Sequence, residues 1–171
     1  MTVDECAIEG VRVYRLDRHS DCRGSFFEIF RREWLPEIFA GNIQVNCSSS
    51  ISGALRGMHY HLKQWDLWVP LHGIMNAGLA DIRPGSPTYR KTMTMKLSGS
   101  ESSGLLIPPG VAHGFAALTD LTMIYVVNSY YDGSDELGIA WDDPQIGIDW
   151  GVSEPLLSGR DRDNAPHGWD L

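Results

Sequence analysis

Two histidines and an aspartate stand close together in residues 56–73, where the chain reads RGMHYHLKQWDLWVPLHG. His59 and His61 are two residues apart, so on a β-strand both side chains would point to the same side. Asp66 follows five residues later and begins a second apolar stretch, DLWVPL. These residue types fit two chemistries. They could hold a metal ion, or His59 could act as a base that removes a proton from carbon without a metal.

The sequence around these residues is rich in β-strand patterns. Residues 92–97, TMTMKL, alternate apolar and polar side chains, and residues 121–131, LTMIYVVNSYY, form a β-branched and aromatic run typical of a buried strand. Glycine, proline and serine clusters that form turns recur at short intervals, which favours a β-sandwich or barrel. One helix is predicted over residues 32–42, REWLPEIFAGN, where Gly41 and Asn42 would end it.

Composition indicates a single domain over residues 1–171, with an irregular tail over 151–171. The formal net charge of −8 argues against nucleic acid or a membrane as the main partner, because both favour basic surfaces. A local group of arginines could still bind a phosphate-bearing small molecule. Cys6, Cys22 and Cys47 are predicted to be reduced thiols of a cytoplasmic protein. No signal peptide is expected, and no apolar stretch reaches the roughly 20 residues that span a bilayer.

A second histidine motif lies further along the chain, where His113 follows a Pro-Pro-Gly turn in residues 105–115, LLIPPGVAHGF. The glycine-framed spacing of His59, His61 and Asp66, followed by this motif, is similar to the two signature stretches of the cupin superfamily. The resemblance implies an all-β fold, a double-stranded β-helix (cupin jelly roll) with a few short helices. It also implies that these side chains point into the mouth of the barrel. It leaves the metal open, because many cupins keep the barrel and lose the ion.

Eight stretches that occur in order narrow the resemblance. They are RGSFFEIF (23–30), IQVNCSSS (43–50), LRGMHYH (55–61), DIRPGSPTY (81–89), LLIPPGVAHGF (105–115), IYVVNSYY (124–131), IAWDDPQIGIDW (139–150) and PLLSGRDRDNAP (155–166). Together they resemble the dTDP-4-dehydrorhamnose 3,5-epimerase family of sugar-nucleotide epimerases. The resemblance implies an isomerase that needs no cofactor. Its substrate would be a nucleoside-diphosphate 4-keto-6-deoxyhexose, in which the protons on C3 and C5 are acidified by the neighbouring carbonyl.

The resemblance also implies roles for individual residues. His59 would be the base, Asp161 the carboxylate that orients it, and Tyr125 the acid on the opposite side of the sugar. The implied substrate-binding residues are Arg23, Phe27, Glu28, Gln44, Asn46, Arg56, Lys63, His113, Tyr131, Glu136 and Arg160. Among these, the two arginines at positions 23 and 56 are expected at the diphosphate, because a guanidinium makes paired charge-assisted bonds. The family further implies a homodimer in which N-terminal strands are exchanged.

Two positions depart from the family pattern. Asp66 stands where the family usually has a lysine, and His61 where it commonly has a glutamine. An anion near the enolate would disfavour it by about 4 kcal/mol, for unit charges ~4 Å apart in a surface-like dielectric. Lys63 or a metal cation could compensate for this cost. If the lysine of the family normally helps to activate both C3 and C5, this protein would act on one of these carbons only, or on a different keto sugar.

Three hypotheses therefore stay open. The first is an epimerase that acts at C3, C5 or both without a metal, which the His59 and Tyr125 pair and the diphosphate arginines favour. The second is a metal-binding cupin whose ligands are His59, His61, Asp66 and His113. The third is a cupin that binds a sugar nucleotide without catalysis. The first two exclude each other if His59 is a ligand, because a coordinated ring nitrogen has no lone pair left to act as a base.

Overall fold

The computed structural model describes residues 1–169 and consists mainly of two antiparallel β-sheets. The first sheet contains, in spatial order, β1 (Thr2–Glu5), β2 (Arg12–Arg15), β10 (Ser103–Ile107), β7 (Asp66–His72), β12 (Leu121–Val127) and β5 (Gln44–Ser50). The second contains β13 (Leu137–Gly138), β6 (Leu55–Tyr60), β11 (Val111–Ala117), β8 (Ile74–Asp81) and β9 (Thr92–Ser98). The remaining elements are a hairpin of β3 (Arg18–Asp21) and β4 (Gly24–Phe27), a 3-10 helix (Arg32–Trp34) and α1 (Gly159–Asp163). Within residues 1–169, no helix has the length and apolar character needed to cross a membrane.

Apolar side chains from both sheets meet in one buried core. Met75 and Leu79 of β8 are fully buried and pack in the same cluster as Leu105 of β10 and Met123 of β12. The alternation in residues 92–97 produces strand β9, whose apolar side chains pack on this cluster. The fold predicted from the sequence, an all-β jelly roll with few and short helices, is therefore confirmed.

Each sheet is also covered on its outer face, which explains why several strands are buried on both sides. Phe39 and Leu35 pack on the first sheet against Leu106 and Val126. On the second sheet, Ile139, Ile146 and Trp150 of the C-terminal segment pack against β6, β8 and β11. The run predicted as a doubly buried strand forms β12, although the strand ends at Val127 and not at residue 131.

The helix predicted over residues 32–42 is wrong beyond its first turn. A 3-10 helix spans Arg32–Trp34, and Leu35, with φ −142° and ψ 54°, ends it. Pro36 accounts for this, because the residue before a proline is disfavoured in the α-helical region. The segment still folds onto the core, since Phe39 is buried and its backbone N–H donates to the Leu35 carbonyl at 2.9 Å.

Hydrogen bonds within the C-terminal segment, which begins at Ile139, hold the last described residues in place. The Asp143 carboxylate accepts hydrogen bonds from the backbone N–H groups of His167 (2.8 Å) and Gly168 (3.0 Å). Nearer the cavity described below, Leu156 forms an isolated bridge with Ala54. Short α1 follows, so the segment predicted as an irregular tail places one ordered turn of helix next to β6.

We expect Asp81→Asn to destabilise the fold in a pH-dependent way. Asp81 is fully buried and accepts hydrogen bonds from Arg83 and Thr88. Burial acts to raise the pKa of Asp81, but these donors outweigh it and lower the pKa to about 2. A carboxyl with a depressed folded-state pKa stabilises the fold above its unfolded pKa of about 3.9, by about 2 kcal/mol here, and this is lost as the pH falls towards 2.

The measurement is the free energy of unfolding in urea at a series of pH values. The free energy of unfolding of the wild-type protein should fall by about 2 kcal/mol between pH 5 and 2. The Asp81→Asn variant should already lack this contribution at neutral pH. Asp163→Asn, at an exposed position, is the control and should follow the wild-type curve. Parallel curves for Asp81→Asn and wild type would show that this carboxylate does not carry the effect.

Candidate active site

A cavity of about 610 Å³ is lined by residues of both sheets and of α1. On the first sheet, Tyr125 of β12 stands between Asn46 of β5 and Trp68 of β7. On the second sheet, His59 of β6 pairs with His113 of β11. Directly paired residues on neighbouring strands point to the same face of a sheet. The cavity therefore receives one row of side chains from each sheet.

His59 forms a close pair with a buried carboxylate. Its Nε2 lies 2.6 Å from Oδ1 of Asp161, which is the buried residue of α1. Ser158 caps this helix by accepting a hydrogen bond from the Asp161 backbone N–H, which fixes the position of the carboxylate. Burial acts to raise the pKa of Asp161, but the hydrogen bond and charge of the His59 ring outweigh it and lower the pKa. The carboxylate is therefore ionised and supports a positive charge on His59.

Tyr125 reaches the same cavity from the opposite sheet. It is half-buried, and burial together with the negative charge of Asp66 raises the pKa of its phenol above the ordinary value. The phenol therefore carries its proton at neutral pH and can donate it. The sequence-derived pair of a histidine and a tyrosine is thus brought into one cavity, on walls that belong to different sheets.

Polar side chains surround the wider part of the cavity. Arg56 donates through Nε to the Ser50 hydroxyl at 3.0 Å and lines the cavity, while Arg160 pairs with Glu136 at 2.6 Å. Burial acts to raise the pKa of Glu136, but its bond with Arg160 lowers it. The other lining residues that the sequence predicted are Gln44, Asn46, His113 and Tyr131.

Four of the predicted substrate-binding residues do not line this cavity. Arg23 lies in the turn of the β3–β4 hairpin, where it is exposed and pairs with Asp21 at 2.6 Å. Phe27 ends that hairpin beneath the guanidinium of Arg18, 4.7 Å from its ring centre. Glu28 pairs with Arg31, and Lys63 is exposed in the loop between β6 and β7. Their roles stay predictions.

A second polar group lies deeper in the cavity wall and consists of His61, Asp66 and His113. Their potential ligand atoms all lie within 4.8 Å of one another. His59 is not part of this group, and its Nε2 is bonded to Asp161. Burial raises the pKa of Asp66, and burial followed by the charge of His61 lowers the pKa of His113 to about 3. The ring of His113 is therefore neutral at physiological pH.

Three residues that position the site were missed in the sequence. The Gln64 amide lies 3.2 Å from both His61 Nε2 and Asp66 Oδ2. Asp135 organises the β6–β7 loop, because its carboxylate accepts hydrogen bonds from the backbone N–H groups of Leu62, Lys63 and Gln64. Ser158 could have been found, since a serine three residues before an acidic residue is a typical helix start. The partners of Asp135 are about seventy residues away, and no local pattern indicates them.

The jelly roll and its cavity, with an imidazole–carboxylate pair facing a phenol, define a cupin-type domain. A family model described as dTDP-4-dehydrorhamnose 3,5-epimerase matches residues 5–167. A dTDP-4-dehydrorhamnose 3,5-epimerase of Sinorhizobium fredii is 37% identical over 157 residues, which cover 88% of this chain and 80% of that protein. The chain therefore belongs to the dTDP-4-dehydrorhamnose 3,5-epimerase family, a family of isomerases.

Solved structures give the same result. The rmlC epimerase of Mycobacterium tuberculosis superposes with a TM-score of 0.89 at 30% identity, covering 97% of this chain and 88% of that one. ChmJ, a 3'-monoepimerase from Streptomyces bikiniensis solved in complex with dTDP-quinovose, superposes with a TM-score of 0.86 at 32% identity, covering 94% and 85%. These neighbours favour the epimerase hypothesis over the other two.

Proposed function

We propose that this protein epimerises a dTDP-linked 4-keto-6-deoxyhexose at C3, C5 or both. The observation that carries the proposal is the position of His59 and Tyr125 on opposite sheets of one cavity. Epimerisation removes a proton from one face of a carbon and returns a proton to the other face. A base and an acid on facing walls supply these two steps.

The side chains around His59 suit the first step. The imidazole takes the proton from the carbon next to the ketone, and the electron pair of the C–H bond moves into the carbonyl to form an enolate. The carboxylate of Asp161, at 2.6 Å, stabilises the imidazolium that results. Tyr125 then donates its phenolic proton to the opposite face of the same carbon, which regenerates the ketone with inverted configuration.

Charge and the comparisons support the proposed nucleotide part of the substrate. Arg56 and Arg160 line the cavity and offer guanidinium groups for a diphosphate. ChmJ, a structural neighbour, has been solved with a dTDP sugar, which supports thymidine as the nucleoside. The net charge of −8 disfavours nucleic acid and membranes as partners, whereas the local arginines allow a small phosphate-bearing ligand.

We further propose a cytoplasmic homodimer. If Arg23, Phe27 and Glu28 contact substrate, it must be the substrate of another subunit, because all three lie outside this chain's cavity. Two apolar side chains are available for an interface: Phe26 of the hairpin is 70% exposed, and Val45 of the edge strand β5 is 61% exposed. An edge strand with unpaired backbone groups is a ready surface for a second copy.

Deuterium exchange tests the proposed reaction. Incubation of the protein with dTDP-4-keto-6-deoxyglucose in deuterated water should place deuterium on carbon next to the ketone. We expect one deuterium in the product and not two, because Asp66 replaces the cation that the family resemblance implies for this position. Mass spectrometry of the product counts the label, and UDP- and dTDP-linked sugars tested in parallel identify the nucleotide. Tight binding without exchange would favour a non-catalytic binding protein, and two deuteriums would contradict the single-carbon prediction.

A further inference from the structure

We infer that His61, Asp66 and His113 form a binding site for one divalent transition-metal ion, and that His59 is not among its ligands. Two imidazoles and one carboxylate on one wall of a cavity are a donor set typical of such ions, and they leave coordination positions open. The three residues come from separate parts of the fold: the end of β6, the start of β7, and β11. Their ligand atoms lie within 4.8 Å of one another.

The hydrogen bonds of the two rings indicate which nitrogen of each ring faces the proposed ion. Nδ1 of His61 lies 2.6 Å from the Asp135 carbonyl oxygen, and Nδ1 of His113 lies 2.8 Å from the Val111 carbonyl oxygen. A carbonyl oxygen can only accept, so each Nδ1 carries the proton and donates it. In the His113 ring the lone pair is therefore on Nε2, and Nε2 of His61 faces the Gln64 amide nitrogen at 3.2 Å, a contact that a bound ion would replace. Histidines that bind metals usually donate their other ring nitrogen to a carbonyl or carboxylate in this way.

The distance between two of the potential ligand atoms fits a shared ion. Nε2 of His61 and Oδ2 of Asp66 are 3.7 Å apart, which is too long for a hydrogen bond. Two ligand atoms that each lie ~2.1 Å from one tetrahedral ion are about 3.4 Å apart. Asp66 is buried, and His61 is the only ion-pair partner that it has within residues 1–169. A metal cation would balance this charge.

The site is separate from the base but shares its cavity. His59, which is bonded to Asp161, keeps its role in proton transfer, so metal binding and epimerisation do not exclude each other. An ion on this wall can accept a ketone oxygen as a ligand and stabilise the negative charge of the enolate. This role rests on the proposed function, whereas the binding of the ion does not. The family resemblance implied an enzyme without a cofactor, and a metal ion bound at this site would differ from that expectation.

Titration of the full chain with Co²⁺ and Zn²⁺ after treatment with EDTA tests the site. We expect one Co²⁺ per chain, with visible absorption that reports nitrogen ligands, and displacement by Zn²⁺. Asp66→Asn and His61→Gln should weaken binding at least about 100-fold, beyond the ~10–100-fold typical of changes to outer residues. His59→Asn is the matched control and should bind the ion as wild type does.

Five results decide between these possibilities. Absence of stoichiometric binding to wild-type protein, or wild-type affinity in both the Asp66 and His61 variants, would overturn the inference. Loss of binding in His59→Asn would do so as well, since His59 would then be a ligand. Metal binding without deuterium exchange would support the site and overturn the proposed epimerase. Full exchange by metal-free protein, with no increase on adding metal, would overturn the ion's role in the reaction.

Discussion

His59→Asn should reduce the rate of deuterium incorporation by about 10²–10⁴-fold, the range that general acid–base catalysis contributes. Asparagine fills a similar volume and can still hydrogen-bond to Asp161, but it cannot take a proton from carbon. Binding of dTDP should be essentially unchanged, because the arginines that would meet the diphosphate lie elsewhere in the cavity. Exchange is followed by mass spectrometry and dTDP binding by calorimetry.

The control for this variant is His72→Asn. His72 ends strand β7 on the exposed surface and does not line the cavity, so its loss should leave exchange unaltered. This comparison separates the effect of the reacting imidazole from the general effect of losing a histidine. Exchange at the wild-type rate in His59→Asn would show that His59 is not the base. The proposed direction of proton transfer, from carbon to His59, would then be wrong.

Gly57→Ala should lower the free energy of unfolding by roughly 2–6 kcal/mol, the sum of a strained backbone and an overpacked contact. Gly57 has a φ of +133°, which residues with a side chain rarely adopt. A Cβ at this position would lie 2.6 Å from the Cα of Gly114 on the neighbouring strand. Either β6 or β11 must move, and these strands carry His59 and His113. Activity should therefore fall with stability.

Gly24→Ala is the matched control, because Gly24 has nearly the same φ, +137°, and nothing within 4 Å of an added Cβ. It should show only the backbone cost of roughly 1–3 kcal/mol. Denaturant unfolding gives the free energy of unfolding of both variants. The difference between the two losses is the cost of placing a Cβ between the two closely spaced strands. Equal losses in the two variants would mean that this approach is relaxed at little cost.

The parts of the structure that the sequence predicted correctly have local patterns. Alternation in residues 92–97 depends only on the two-residue period of a strand, and β9 forms there. The glycine-framed histidine motifs correctly indicated that His59 and His113 face one cavity, because the jelly roll pairs β6 with β11. The alternation depends on neighbours along the chain, and the shared cavity of the two histidines depends on the jelly-roll fold.

Some of the features that were missed depend on contacts between distant residues, and others depend on local signals that were given too little weight. The Gln64 amide, which lies 3.2 Å from both His61 Nε2 and Asp66 Oδ2, carries no motif that marks it. The loop that presents His61 is organised by Asp135, which no motif marks. In the predicted helix, Pro36 outweighed the apolar spacing that places Leu35 and Phe39 in the core. Periodicity indicates burial in such cases but not the type of secondary structure.

The capped turn that holds Asp161 has a consequence for how the molecule matures. During translation, which runs from the N-terminus, the strands of both sheets leave the ribosome before α1 does, because all of them end by residue 138. A nascent chain can therefore form both sheets while His59 still lacks its partner carboxylate, Asp161. Enzymatic competence would be acquired only with the last segment to emerge, so incomplete translation products would be inert even where both sheets have formed.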